Sequence, residues 1–190
     1  MDLVEAIYKR RTIRRFKQEP IEIEILKKLV NFARLAPMGN NIQSLEYIII
    51  SDSEARKNLF PCLAWSASLP PRQRHPEESR RPMAYIIVLV NTNIKKNPEA
   101  EIGGAVQNIL LGALNFGLGS CWMGSINGPK IRELFEIPEQ QEIKYVISLG
   151  YPDEESMVEP FVGSMKYWKD DNGVMHIPKK SLEEVIYKIY

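Results

Sequence analysis

Lys9, Arg10, Arg11, Arg14 and Arg15 crowd into the stretch YKRRTIRRF, residues 8–16, with only Thr12 and Ile13 between them. Guanidinium groups at this density suit an anion, because each presents a planar fork of N–H donors that fits a phosphate or carboxylate through two bonds at once. Taken alone, the stretch leaves the anion open: a nucleic acid, a membrane surface, a small phosphate, or only solvent. The net charge of the chain is +1, whereas a dedicated nucleic-acid or membrane-surface protein carries a clear basic excess. A local cluster balanced by acids elsewhere favours a site over a whole binding face.

Three further stretches carry polar groups in unusual settings. APMGNNIQ, residues 36–43, holds Asn40, Asn41 and Gln43 in a Pro/Gly loop. GLGSCWMG, residues 117–124, is a glycine-rich exit from an apolar helix, and HIPKK, residues 176–180, ends on Lys179 and Lys180. Each has an ordinary reading: a turn, a helix stop and a solvated surface. Several motifs are excluded. Trp122 stands where a dinucleotide fingerprint needs its third glycine, and Ser125 stands where a phosphate loop needs lysine. There is no GxSxG elbow, HExxH pair or EF-hand loop. Cys62 and Cys121 are the only cysteines and form no CxxC pair, which points to a reduced, cytoplasmic setting. His75 and His176 lie too far apart in sequence to suggest a metal site.

The elements that must carry these groups follow from periodicity. Asp2 with Glu5 three residues on resembles a capping box and predicts a helix over 2–10. Ile25, Leu29, Phe32 and Ala36, backed by Leu26 and Ala33, predict a second helix between Pro20 and Pro37. EYIIIS (46–51), AYIIVLVN (84–91) and EIKYVISLGYP (142–152) read as three buried strands. Short helices are expected at 53–59 and after Pro129, and a β-pair around Asp171-Asn172-Gly173. Residues 61–82 contain five prolines and form a long irregular connection; it is either a cover over a pocket, with Trp65, Arg72, Arg74, Arg80 and Arg81, or a solvated loop. Residues 101–119 are apolar nearly all round, so that helix belongs at the centre of the core or at a subunit interface. SLEEVIYKIY, 181–190, is a helix or an extended arm.

With 190 residues, 44% hydrophobic and 26% charged, the chain is expected to form a single domain over residues 1–190. The expected class is α+β, a mixed central sheet covered by helices. The stretch 102–123 is interrupted by Gln107, Asn108 and Asn115 and makes a poor membrane span. No N-terminal signal peptide is read.

In this order, RRTIRRF, APMGNNIQ, GGAVQNILLGA with GLGSCW, and LGYP resemble the FMN-dependent nitroreductase family across nearly the whole chain. The resemblance implies an α+β homodimer with FMN at the dimer interface and the long central helix packed against its partner. It implies a phosphate grip from Arg10, Arg11, Thr12 and Arg14, with Lys9 and Arg15 left to solvent, and a second grip from Lys180 or Lys179. Asn41 and Gln43 match the family loop and would meet the polar edge of the flavin, although Met38, Ser44 and Leu45 depart from its pattern. Met123 and Gly124 would lie beside the ring and offer a backbone N–H to it. The implied activity passes electrons from NADH or NADPH through FMN to a nitroaromatic, quinone or other conjugated acceptor, with no metal and no nucleic acid. Two alternatives share the fold: a reductase or dehalogenase dedicated to one metabolite, and a flavin carrier of low turnover. A nucleic-acid-binding module built on residues 9–15 is the alternative from another class.

Overall fold

The computed structural model describes residues 2–190; Met1, where the expected domain begins, lies outside them. In chain order the elements are α1 (Leu3–Lys9), α2 (Ile23–Arg34), β1 (Leu45–Ile50), α3 (Ser53–Leu59), α4 (Pro71–Arg74), β2 (Ala84–Asn91) and α5 (Glu99–Asn115). They continue with β3 (Gly119–Met123), α6 (Gly128–Leu134), β4 (Gln141–Gly150), β5 (Ser156–Pro160), β6 (Trp168–Lys169), β7 (Met175–Lys179) and α7 (Leu182–Val185). The first helix starts where its cap predicts: the Asp2 carboxylate accepts the Glu5 N–H at 2.8 Å, a bond that contributes about 1 kcal/mol at a helix N-terminus.

The main sheet runs β1-β2-β4-β3. Its strand β2 is buried from Ala84 to Val90 because it is covered on both faces. Ile86, Val88 and Val90 point into a core shared with α2 and α5. Tyr85, Ile87 and Leu89 point into a second core with Leu59, Trp65 and Ile131. This alternation is the period of two expected of a strand between two apolar layers. The α+β class holds, with a correction of detail. All strand pairings in the main sheet are antiparallel; the parallel ones are the Thr12–Ser120 bridge beside β3 and the pairing of β5 with β7 in a separate small sheet.

Two other expectations change. The long helix ends at Asn115, and residues 119–123 form a fourth strand. Gly117, at φ +73°, turns the chain out of the helix in a left-handed step that glycine takes without strain. Within one chain the helix also buries only one face, with Ile102, Ala105, Val106, Ile109, Leu110 and Ala113 inward and Gln107 and Asn115 exposed, so of its two expected places the centre of the core is excluded. The small sheet β5-β7-β6 closes on a turn at Asp170–Val174, where the Asp-Asn-Gly signal places it. The segment 181–190 is one capped helical turn followed by extended chain.

Candidate functional site

The basic segment crosses the end of the main sheet as an extra strand. Thr12 bridges Ser120 in parallel, and the Ile13 N–H donates to the Ser120 carbonyl at 2.9 Å. Gly119 and Gly150 face each other on β3 and β4, and Ile13 and Phe16 press directly onto them. A methyl group at either glycine would stand 2.8 or 2.7 Å from those side chains, closer than carbon atoms pack. The two apolar side chains are thereby seated in notches, which fixes where the arginines between and before them must point.

The arginines divide between two cavities that follow one another along β3. Arg10 and Arg11 line the first, of about 100 Å³, with Ser120, Leu114, Pro152 and Ser156. Burial, and for Arg10 also the neighbouring Arg11, disfavours the charged forms and lowers both pKa values. Arg11 turns its guanidinium onto the C-terminal carbonyls of α1, those of Tyr8 at 2.6 Å and Arg10, where a cation meets the negative end of the helix dipole. Lys9 stands at the rim of this cavity; its ammonium is paired with Glu5 at 2.6 Å and its side chain is 61% exposed.

Arg14 enters the second cavity, of about 180 Å³, together with Trp65, Ser66, Met123, Gly124 and Tyr167. Its backbone N–H donates to Glu154 at 2.6 Å, and its guanidinium lies 5.0 Å from the centre of the Tyr167 ring. Arg14 Nη1, Trp65 Nε1 and Ser66 Oγ are all buried without a hydrogen-bond partner among the described residues. Leaving a buried donor unmade costs about 1–3 kcal/mol each, so the wall of this cavity carries a local polar cost. Cys121 lines the same cavity; burial raises its thiol pKa and keeps it protonated, which argues against a thiolate nucleophile.

Trp65 was flagged by the sequence only as part of a loop, and Ser66 and Tyr167 not at all. Their role comes from long-range pairing. Leu63 bridges Ile126, and the Ala64 N–H donates to the Ser125 carbonyl at 3.0 Å, so this part of the 61–82 connection is bound to the wall of the cavity.

Asn41 and Gln43 stand elsewhere. Their loop opens β1, the outer strand opposite β3, and Gly39 faces Glu101 near the start of α5. Three strand spacings, about 14 Å, separate the two edges of the sheet. Asn40, Asn41 and Gln43 all adopt left-handed backbone angles, with φ of 54°, 53° and 52°. Asparagine tolerates that region; glutamine is strained there by about 1 kcal/mol. All three side chains are exposed, and Gln43 reaches only the Asn41 carbonyl at 3.4 Å.

Lys179 and Lys180 are exposed at the end of β7. Ser156, which lines the Arg10 cavity, pairs with Met175 at the other end of that strand, about 13 Å away. The structure thus does not bring these lysines to Arg10, Arg11 or Arg14 within one chain. Arg15 is a correction. Expected in solvent, it is 4% exposed, with Glu77 at 3.1 Å, Glu154 at 3.6 Å and the Gln73 carbonyl at 3.2 Å. Glu154 is itself buried and also holds Lys169 at 2.9 Å. A buried carboxylate requires paired cations, and Arg15 is one of them. Among the described residues no cluster of metal-ligating side chains occurs, and no helix is long and apolar enough to cross a membrane.

Residues 7–151 match the nitroreductase family. A protein of Archaeoglobus fulgidus, assigned provisionally by name as an NADH dehydrogenase/NAD(P)H nitroreductase, is 31% identical over 81% of this chain and 87% of its own length. The NADPH-flavin oxidoreductase of Vibrio harveyi is 26% identical over 83% of this chain and 68% of its own. Among solved structures, an FMN-dependent nitroreductase from Clostridium difficile superposes with a TM-score of 0.66 at 27% identity, covering 80% of this chain and 89% of that one.

Proposed function

The chain belongs to the nitroreductase family, and from that premise we propose that it is an FMN-dependent oxidoreductase that takes electrons from NADH or NADPH and passes them to a nitroaromatic, quinone or other conjugated acceptor. The observation that carries the reading is the placement of Arg14 with Met123 and Gly124 at one cavity on β3 and of Arg10 and Arg11 at the next. The edge of a flavin ring offers carbonyl and ring-nitrogen acceptors that a guanidinium suits. The adjoining cavity carries Arg10 and Arg11, a cationic place suited to the phosphate at the other end of the same molecule. Thr12, between the two, holds this strand to β3 through its bridge to Ser120.

When bound, FMN supplies the hydride chemistry between reductant and acceptor. The protein supplies position and charge. Arg14 would set a positive charge against the negative charge of the reduced ring, and Met123 and Gly124 line the same cavity. Ala64, Trp65 and Ser66 line it too and would exclude water from a ring held there.

The proposed site is completed by a second copy. Arg10, Arg11, Arg14, Met123 and Gly124 lie along β3, while Asn41 and Gln43 stand at the opposite edge, exposed and with left-handed backbone angles. A homodimer that brings the Asn41 loop of one copy against the β3 cavities of the other would give each flavin both sets of groups, and Lys179 or Lys180 would reach the phosphate in the same way or not at all. The test is direct. The purified chain should bind added FMN, show oxidised-flavin absorbance, and oxidise NADH or NADPH in the presence of a nitroaromatic or quinone. A colourless chain that takes up no FMN would remove the proposal, and bound FMN with no turnover would leave a flavin carrier in its place.

A further inference from the structure

A separate basic cavity opens between α3, residues 78–82 and the start of β2. It holds about 130 Å³, room for roughly four waters or one tetrahedral oxyanion. Arg56, Lys57 and Arg81 line it, with Glu78 as the one carboxylate and Tyr85 beneath. None of the three cations is ion-paired among the described residues. Their charge therefore exceeds that of Glu78 by two.

These groups are held in place before any ligand arrives. Arg56 donates to the Ser51 carbonyl at 3.2 Å and the Pro82 carbonyl at 3.1 Å. Arg81 lies 4.2 Å over the Phe60 ring, and Phe60 is stacked on Trp65 at 5.5 Å. A guanidinium on an aromatic face keeps its plane while its edge stays free to donate. Arg81 Nε is buried and has no hydrogen-bond partner among the described residues. Tyr85 is 1% exposed. Burial raises its pKa above the ordinary value even though Arg56 and Arg81 pull the other way, so the hydroxyl remains a proton donor.

We propose that this cavity binds a small oxyanion, a phosphate or carboxylate group, through Arg81, Arg56, Lys57 and Tyr85, at a site distinct from the two cavities along β3. A small cavity, two arginines held by the fold and an excess of positive charge are together the features of an oxyanion receptor.

The experiment is calorimetric titration of the full chain in excess FMN, at ionic strength fixed with chloride, with inorganic phosphate in one arm and acetate in the other. At least one anion should bind saturably. Binding of phosphate alone identifies a phosphate-bearing ligand, and binding of acetate identifies a carboxylate. Arg81→Gln should weaken the affinity about tenfold or more. Lys57→Gln, on the exposed side of α3 where the fold is not at risk, should weaken it about threefold. Lys9→Gln, exposed and paired with Glu5 away from this cavity, should leave it unchanged. Failure of both anions to saturate overturns the proposal. So does binding that Arg81→Gln and Lys57→Gln both leave unchanged.

Discussion

The arginine segment and the asparagine loop are both short, polar and irregular in sequence, yet the fold treats them in opposite ways. Residues 12–16 are pressed into the molecule, with Ile13 and Phe16 seated against glycines, Arg15 in a buried ion pair, and Arg14 lining a cavity. Asn40, Asn41 and Gln43 stay exposed and hold three left-handed backbone conformations. One region is anchored; the other is exposed, with strain at Gln43. Strain of this kind persists where other contacts over-determine it, and that contrast is what supports the proposed site shared by two copies.

The largest effect should come from the anchor. Glu154→Gln removes the buried carboxylate that holds Arg15 and Lys169, and should destabilise the chain by about 3–5 kcal/mol in denaturant unfolding. A change below about 1 kcal/mol would mean that the anchor is set by Ile13 and Phe16 alone. Next comes Arg14→Ala, which should raise the dissociation constant for FMN about tenfold to a hundredfold, read by recovery of flavin fluorescence. Lys9→Ala, already exposed and paired with Glu5, should barely change it.

The loop should respond in the opposite sense. Gln43→Gly relieves the left-handed strain and should leave the melting temperature unchanged or stabilise the chain by up to about 1 kcal/mol, while lowering flavin affinity. A clear loss of stability instead would show that Gln43 supports its own chain. The smallest effect concerns the small sheet that carries Lys179. His176 sits between Glu159 and Asp170, with Trp168 stacked on its ring at 4.1 Å. Burial works against the charged ring, but the two carboxylates prevail and its pKa is raised above the ordinary 6.5. A raised pKa stabilises the fold below the unfolded value, and that stabilisation is lost as pH climbs through the folded one. The melting temperature of the wild type should therefore exceed that of His176→Gln by more at pH 6 than at pH 9. An equal gap at both would mean that the pair does not titrate with folding.

Much of this molecule was legible in local sequence. The Asp2 cap, the strand 84–91 and the Asp-Asn-Gly turn depend on neighbours within a few residues, and each stands where its signal puts it. What was not legible depends on distance. Arg15 meets Glu77 across 62 positions, and Arg14 meets Glu154 across 140, so neither partner is visible from YKRRTIRRF. Strand β3 was hidden because its glycines read as a helix stop; only the passage of Ile13 and Phe16 over Gly119 and Gly150 explains them as notches. Trp65 and Ser66 gain significance only when they are seen lining the same cavity as Arg14.

The shared site can be tested by mixing. Arg14→Ala and the double variant Asn41→Ala, Gln43→Ala should each be folded and poorly active alone. Co-expressed, half of the dimers would pair one of each, and in those one site is intact and the other doubly damaged. The account predicts that flavin-dependent NAD(P)H oxidation returns to about a quarter of the wild-type level. Activity that stays at the level of the separate variants would contradict it, because each chain would then be building its own site alone.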